Sequence, residues 1–291
     1  MKKIISGKVR DVYEISDREL VIVSTDRISA FDVILPSTVP GKGVALNLLS
    51  LYWFDQTSRI VPNHVISADL GDMPASFSGH PERYQDRTVL VKKLRMLPYE
   101  FVVRGYMFGS MWEAYKASHT FCGQRVEGEY RLAQKLPAPM VTPSVKHHEG
   151  HDESISLERL RAELGAEEAD KICDISLKLY HTCAKLALQK GIIIADTKFE
   201  FGYDEHGTLT LGDELFTPDS SRFWSLADYQ VGVSPRSYDK QFVRDWLIGH
   251  GLNGVTPAPE LPEDILTATA DLYRECCRKI TGKTIEPNPN P

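Results

Sequence analysis

The segment Ile192-Ile193-Ile194-Ala195-Asp196-Thr197-Lys198-Phe199-Glu200-Phe201-Gly202 constrains the fold more than any other stretch of the chain. Its apolar opening marks a buried strand. The run then passes directly into alternation. On a strand the side-chain period is two, so Asp196, Lys198 and Glu200 share one face while Phe199 and Phe201 occupy the other. Charges on one face and aromatics on the other require a packed core on one side and a wet cleft on the other.

The next residues extend this argument. The turn Asp204-Glu205-His206-Gly207 leads to Thr208–Leu211, which can pair back, and then to Gly212-Asp213-Glu214. An even-length hairpin loop would put Asp213 on the face of Glu200; an odd one would put Glu214 there. The four-residue turn predicts the even case, with Asp213 diagonal to Glu200. Two carboxylates near one point, beside Lys198, suit Mg²⁺ carrying ATP phosphates. A salt-bridged exposed sheet face is the plainer alternative.

Around this strand the pattern is mixed. Val9–Ile15 and Leu20–Ser24 flank the polar turn 16–19 and predict a hairpin. Ala45–Thr57 predicts a helix with a wide apolar face. Thr88–Leu94 and Tyr99–Val103 predict strands joined by a link, Arg95–Pro98. Helices are expected over Ala166–Lys190, stopped by Gly191, over Asp239–His250, stopped by Gly251, and over Pro262–Thr281, stopped by Gly282. Strand pattern gives way to helix near residues 98–110. The expectation is α+β: an antiparallel β-rich N-terminal part, residues 1–100, a larger C-terminal α/β part, residues 101–291, and a cleft between them, where nucleotides commonly bind.

Composition narrows the function. The formal net charge of −6 argues against a non-specific nucleic-acid binder, which would be basic. The cysteine count is odd, five, with no C-x-x-C pair, which speaks for reduced cytosolic thiols. No stretch approaches a membrane span, and Met1–Gly7 lacks the apolar run of a secretory signal.

Other segments could carry chemistry. In Ser6-Gly7-Lys8-Val9-Arg10-Asp11, Gly7 lets backbone N–H groups approach phosphate oxygens, and Lys8 and Arg10 supply charge; an exposed basic turn fits too. Ser110-x-x-Glu113 reads as a capping box opening a helix whose N-terminus could face an anion, with Arg104 turning into the same space. Arg222, beside Ser220 and Ser221, fits a phosphate or carboxylate. His147-His148-Glu149-Gly150-His151 looks like a metal cluster but lacks a rigid scaffold and reads better as a mobile polar loop, with Asp152 able to touch substrate. The tail Glu286–Pro291 reads as frayed or draped on the surface.

Taken in order, Gly7–Asp11, Ser24–Asp32, Pro40–Gly43, Glu100–Tyr106, Gly109-Ser110, His151–Glu153, Asp196–Gly202 and Asp213-Glu214 through Arg222–Trp224 resemble the SAICAR synthetase family. The resemblance implies an N-terminal sheet similar to that of protein kinases and a C-terminal part akin to ATP-grasp enzymes. It implies a ligase of purine biosynthesis that uses ATP to join a carboxyaminoimidazole ribonucleotide to L-aspartate. By the same resemblance, Gly7, Lys8 and Arg10 would lie by the ATP phosphates. The backbone of Arg95 to Leu97 would meet adenine, with Glu100 nearby. Glu200 and Asp213 would bind Mg²⁺. Arg104, Ser110 and Arg222 would hold the ribonucleotide phosphate, and Asp152 its ribose or imidazole. Asp196 and Lys198 would line the reacting centre, and Lys240 and Arg244 would serve aspartate or a closing lid. The expected protein is cytoplasmic, a monomer or small homo-oligomer, with no nucleic-acid or membrane partner. The alternatives are a small-molecule kinase of the inositol-phosphate-kinase type, which also places Asp-x-Lys on a strand, and a non-catalytic nucleotide-binding module.

Overall fold

The structure, a computed structural model, describes residues 2–31, 33–146 and 152–286. The N-terminal part runs β1 (Lys2–Ser6), β2 (Arg10–Glu14), β3 (Glu19–Ser24), β4 (Arg27–Ala30), β5 (Val33–Thr38), α1 (Lys42–Thr57), β6 (Val65–Ser67), the short helices α2 (Ala75–Ser78) and α3 (Pro81–Tyr84), and β7 (Thr88–Lys92). There follow β8 (Arg95–Tyr106), α4 (Gly109–Ser118), β9 (Thr120–Phe121), β10 (Gln124–Arg125), β11 (Lys135–Val145) and β12 (Glu153–Ser154). The chain continues with α5 (Leu157–Leu164), α6 (Ala166–Gln189), β13 (Ile192–Tyr203), β14 (Leu209–Gly212), β15 (Ser221–Ser225), α7 (Gln241–Gly249) and α8 (Glu263–Thr281). The metal-like histidine run 147–151 and the tail 287–291 lie outside the described residues.

The α+β expectation is borne out. One antiparallel sheet has the order β1-β2-β3-β7-β6, and the expected hairpin pairs Arg10 with Ser24 and Glu14 with Leu20. The second has the order β12-β11-β8-β13-β14, with β15 also on β13. The predicted link Arg95–Pro98 is not a link. It opens the long strand β8, which pairs with β13 rather than β7. The register shift between Glu200 and Gly202 leaves Leu97–Tyr99 opposite Phe201 alone. A bulge of that kind accommodates a proline that cannot donate to the ladder. Residue 100, where the sequence reading divides the chain, lies inside β8.

β13 is the organising strand. Phe199 and Phe201 are fully buried beneath α6 and α1, in a core that includes Leu179, Cys183, Leu49 and Trp53. A second bulge sits at Ala195, since Ile194 pairs with Phe223 but Asp196 with Arg222. The extra residue reverses the alternation: Ile192 and Ile194 belong to the same core as Phe199, whereas Ile193 and Ala195 pack on Trp224. The Ile194 carbonyl accepts a 2.7 Å hydrogen bond from the Tyr180 hydroxyl of α6. That ring reaches it because Gly105 is bare; a Cβ there would lie 1.9 Å from the Tyr180 oxygen. The helices end as read, at Gly191, Gly251 and Gly282, all at positive φ. Among the described residues no helix is long and apolar enough to cross a membrane.

Candidate active site

One edge of β13 is covered by two short strands placed end to end. β15 spans Ile192–Thr197 and β14 spans Glu200–Tyr203. Lys198 falls in the gap, its N–H bonded to the Ser220 carbonyl. The segment 213–220 therefore leaves the sheet at this point and loops over the charged face.

On that face Glu200 stands directly opposite Glu100 of β8, and Asp196 opposite Arg104. Like charges opposed across strands repel. Two lysines offset this: Lys198 donates to Glu100 and lies 3.7 Å from Glu200, and Lys146, just past β11, lies 2.6 Å from Glu200. Burial, then the Asp213 charge, pushes the Glu200 pKa up against Lys198 and Lys146. Burial also opposes ionisation of Asp213, but Arg10 followed by Lys198 and Lys146 outweighs it and holds that pKa low. Burial opposes the charge of Lys198, yet Glu100, Glu200 and Asp213 raise its pKa, so it stays an ammonium ion.

The register expectation needs correction. Glu200 pairs with Gly212 and Tyr203 with Leu209, so the connecting run is 204–208, an odd loop. Asp204 causes it: its carboxylate accepts from the N–H groups of His206 and Thr208, drawing Thr208 into the turn. A continued ladder would then put Glu214 on the Glu200 face. The ladder stops instead, because Asp213 adopts a left-handed backbone, φ 58. Both acids swing toward β2, where Arg10 Nη2 lies 2.8 Å from Asp213 and 3.6 Å from Glu214. Asp213 thus reaches the site by a route the parity argument did not contain.

Asp196 anchors the other end. It accepts from Arg222 and, at 3.3 Å, from Arg104, which also donates to Thr142 at 3.0 Å and Ser110 at 3.3 Å. Gly109, at φ 59, lets the chain pass Arg222; a Cβ there would lie 2.7 Å from Nη2. The expected capping box does not form: α4 starts at Gly109, Phe108 is its N-cap, and Ser110 instead meets Arg104. Arg104, Ser110 and Arg222, grouped in the sequence only by the family resemblance, lie together around Asp196. The Arg222 Nε is buried without a hydrogen-bond partner among the described residues.

A cavity of about 780 Å³ unites Gly7, Lys8, Arg10, Glu100, Asp152, Lys198, Glu200 and Asp213 with Lys240 and Arg244. A smaller one of about 120 Å³ adjoins it, sharing Asp219, Lys240 and Arg244 and reaching Asp196 and Arg222. Lys240 and Arg244 lie one helical turn apart at the start of α7. Arg95 and Leu97 do not join this cavity. Leu97 is in the core, and Arg95, 4.9 Å from the Tyr203 ring centroid, lines a separate cavity of about 620 Å³ with Lys92 and Lys93. Lys146, Asp219 and Lys42 are given no role by their local sequence pattern, and Glu214 enters it only as the odd-loop alternative to Asp213. Lys146 has no local signal, whereas a lysine opening the apolar helix α1 was a signal available in Gly41-Lys42-Gly43.

A family model described as SAICAR synthetase matches residues 3–259. The phosphoribosylaminoimidazole-succinocarboxamide synthase of Chromobacterium violaceum is 49% identical over 285 residues, covering 97% of this chain and 99% of its own. The enzyme of that name from Methylobacillus flagellatus is 48% identical, covering 97% and 95%. Among solved structures, the Saccharomyces cerevisiae SAICAR-synthase complexed with SAICAR has a TM-score of 0.90 and 41% identity, covering 98% of this chain and 96% of its own. A SAICAR synthetase in complex with ADP has a TM-score of 0.71 and 26% identity, covering 97% and 99%.

Proposed function

The chain belongs to the SAICAR synthetase family, and from that premise we propose how its cavity carries out the family's ligation. The reaction joins the carboxylate of carboxyaminoimidazole ribonucleotide to the amine of L-aspartate, with ATP converted to ADP and phosphate, in cytoplasmic de novo purine biosynthesis. The family assignment disfavours the small-molecule kinase alternative.

An amine does not displace oxygen from a carboxylate, which is anionic and lacks a leaving group. Transfer of the γ-phosphoryl group gives an acyl phosphate; the aspartate amine then attacks its carbon and phosphate departs. The protein's contribution is positioning and charge neutralisation. Gly7, Lys8 and Arg10 line the part of the cavity that we assign to the nucleotide phosphates, and a structural neighbour in complex with ADP supports the use of a nucleotide by this fold. Lys198, held as an ammonium ion between Glu100 and Glu200, faces the charge that develops on the transferring group. Arg104, Ser110 and Arg222 suit the ribonucleotide phosphate, with Asp196 fixing both guanidinium groups in place. Lys240 and Arg244 suit the carboxylates of aspartate, and Asp152, which lines the same cavity, suits the ribose or imidazole.

Mg²⁺ fits the residues present. Among the described residues no three acidic, histidine or cysteine side chains form a metal cage. Mg²⁺ on a nucleotide needs only one or two carboxylates, since phosphate and water complete its shell. Glu200 and Asp213 are close enough to repel, and a cation there would relieve that repulsion. When bound, the ion would neutralise phosphate charge. The observation that carries the function is the meeting of Arg10, Lys198, Glu200 and Asp213 around one large cavity that continues to the Arg104–Asp196–Arg222 cluster. The test supplies ATP, Mg²⁺, the ribonucleotide and L-aspartate and follows product absorbance and phosphate. Phosphate release that is indifferent to aspartate would overturn the reading.

A further inference from the structure

We propose that Lys42 is a positioning residue, acting through Asp219 to keep Lys240 extended into the active-site cavity. The inference rests on the reading of Lys240 as a ligand for the amino-acid substrate.

Lys42 is completely buried, a state lysine almost never adopts without a specific partner. It is also the first residue of α1, where the helix dipole disfavours a cation. Two glycines fix it there. Gly41 takes φ 80, and Gly43 presses on the end of β3, where a Cβ would sit 2.4 Å from the Ser24 carbonyl oxygen. Lys42 Nζ lies 2.6 Å from Asp219 Oδ2 and 5.4 Å from the Tyr273 ring centroid. The Tyr273 hydroxyl donates to Asp219 Oδ1 at 2.8 Å. Lys240 Nζ stands 3.7 Å from the same Oδ1.

The carboxylate of Asp219 is therefore divided. One oxygen is committed to Lys42; the other is already held by Tyr273 when Lys240 approaches it. Asp219, Lys240 and Arg244 line both cavities, whereas Lys42 lines neither and cannot touch substrate. Burial depresses the Lys42 pKa, Asp219 counters this, and Lys240 adds to the depression, so the two lysines repel across the carboxylate. With Lys42 in place, Asp219 orients Lys240 without capturing it. Without Lys42, the uncompensated buried carboxylate would draw Lys240 into a close pair and withdraw its charge from the cavity.

The test is steady-state kinetics of the whole chain with all three substrates varied, on Lys240→Met, Lys42→Met and Tyr273→Phe. Lys240→Met should raise KM for L-aspartate about thirtyfold, the loss expected when one partner of a desolvated charge pair is truncated. Lys42→Met should raise the same KM about tenfold and leave KM for ATP within about twofold. Tyr273→Phe, which keeps the ring and frees Oδ1, should raise KM for L-aspartate by about threefold without changing kcat. An unchanged KM for L-aspartate in Lys240→Met overturns the underlying assignment of Lys240. A normal Lys240→Met effect with no selective effect in folded Lys42→Met and Tyr273→Phe, or with equal rises for ATP, overturns the positioning role alone. If Lys42→Met fails to fold, Tyr273→Phe decides the matter.

Discussion

Replacing Glu200 by Gln separates a catalytic carboxylate from a structural one. Glu200 is 7% exposed, with one oxygen 2.6 Å from Lys146 and the other 3.7 Å from Lys198. Gln keeps the shape and one acceptor, so the Lys146 bond falls from charge-assisted to ordinary, a loss of about 1 kcal/mol. Against that, burial and Asp213 raise the Glu200 pKa. A carboxyl whose native pKa lies above its unfolded value binds more protons when folded. Ionising it as pH rises therefore costs stability, a cost that accrues as pH climbs from the unfolded pKa through the raised native one. Gln never ionises and escapes the cost. The two effects oppose, so net stability should change by no more than about 1 kcal/mol, or a Tm shift of about 2 °C. Activity should fall by about 100-fold or more, as when a charge-stabilising group is removed from an active site. The checks are thermal unfolding of the ligand-free protein, product absorbance under saturating substrates, and the Tm rise given by Mg²⁺ and ADP, which the variant should largely lose. A Tm drop beyond about 6 °C, or turnover within about tenfold of the parent, would refute the reasoning.

Arg222→Met leaves Asp196 with Arg104 alone; KM for the ribonucleotide should rise about 30- to 100-fold with KM for ATP unchanged, read from initial rates. Gly43→Ala drives a Cβ into the Ser24 backbone, with its oxygen 2.4 Å and its carbonyl carbon 2.8 Å away, and should cost about 2–3 kcal/mol in urea unfolding. His64 is buried and its pKa is pushed down to about 4, chiefly by burial. The unfolded chain binds that proton first, so the neutral ring adds stability that is present above about pH 6.5 and lost as pH falls toward 4, in total roughly 3 kcal/mol. His64→Phe should flatten this acid limb in unfolding measured from pH 7 to 4; an unchanged slope would exclude His64 as its source.

Long periodic elements were legible because their signal is repeated over many residues. The helix α6 and its stop at Gly191 follow from apolar spacing and a glycine that takes φ 76. The faces of Phe199 and Phe201 against Asp196, Lys198 and Glu200 follow from period two alone. The bulge at Ala195 was not legible, because no residue type announces it; its causes are Tyr180, which satisfies the Ile194 carbonyl, and Gly105, which makes room. The Arg95–Pro98 segment was misread because proline normally ends a strand, and only the bulge opposite Phe201 lets it remain. Lys146 joins the site through the pairing of β11 with β8, a contact between distant segments that a local pattern does not encode.

Asp213 shows where parity reasoning stops being valid. Parity assumes that the ladder continues to the residue in question, and here it ends one residue earlier, at Gly212. Beyond that point two non-glycine residues, Asp213 and Phe216, take positive φ, 58 and 46. Aspartate tolerates this conformation because its short side chain finds local partners, and Arg10 supplies one at 2.8 Å. Phenylalanine does not tolerate it readily. Phe216 is held there because it is fully buried, 5.2 Å from the Phe199 ring and 5.5 Å from Trp53. Strain of this kind costs on the order of 1–3 kcal/mol per residue and persists only where surrounding packing overdetermines it. The loop that carries Asp213, Glu214 and Asp219 to the cavity is thus fixed by the aromatic underside of β13, the face opposite the charges. The same alternation that put Phe199 in the core anchors the loop that completes the cluster around Glu200, although the register argument reached that residue by the wrong path.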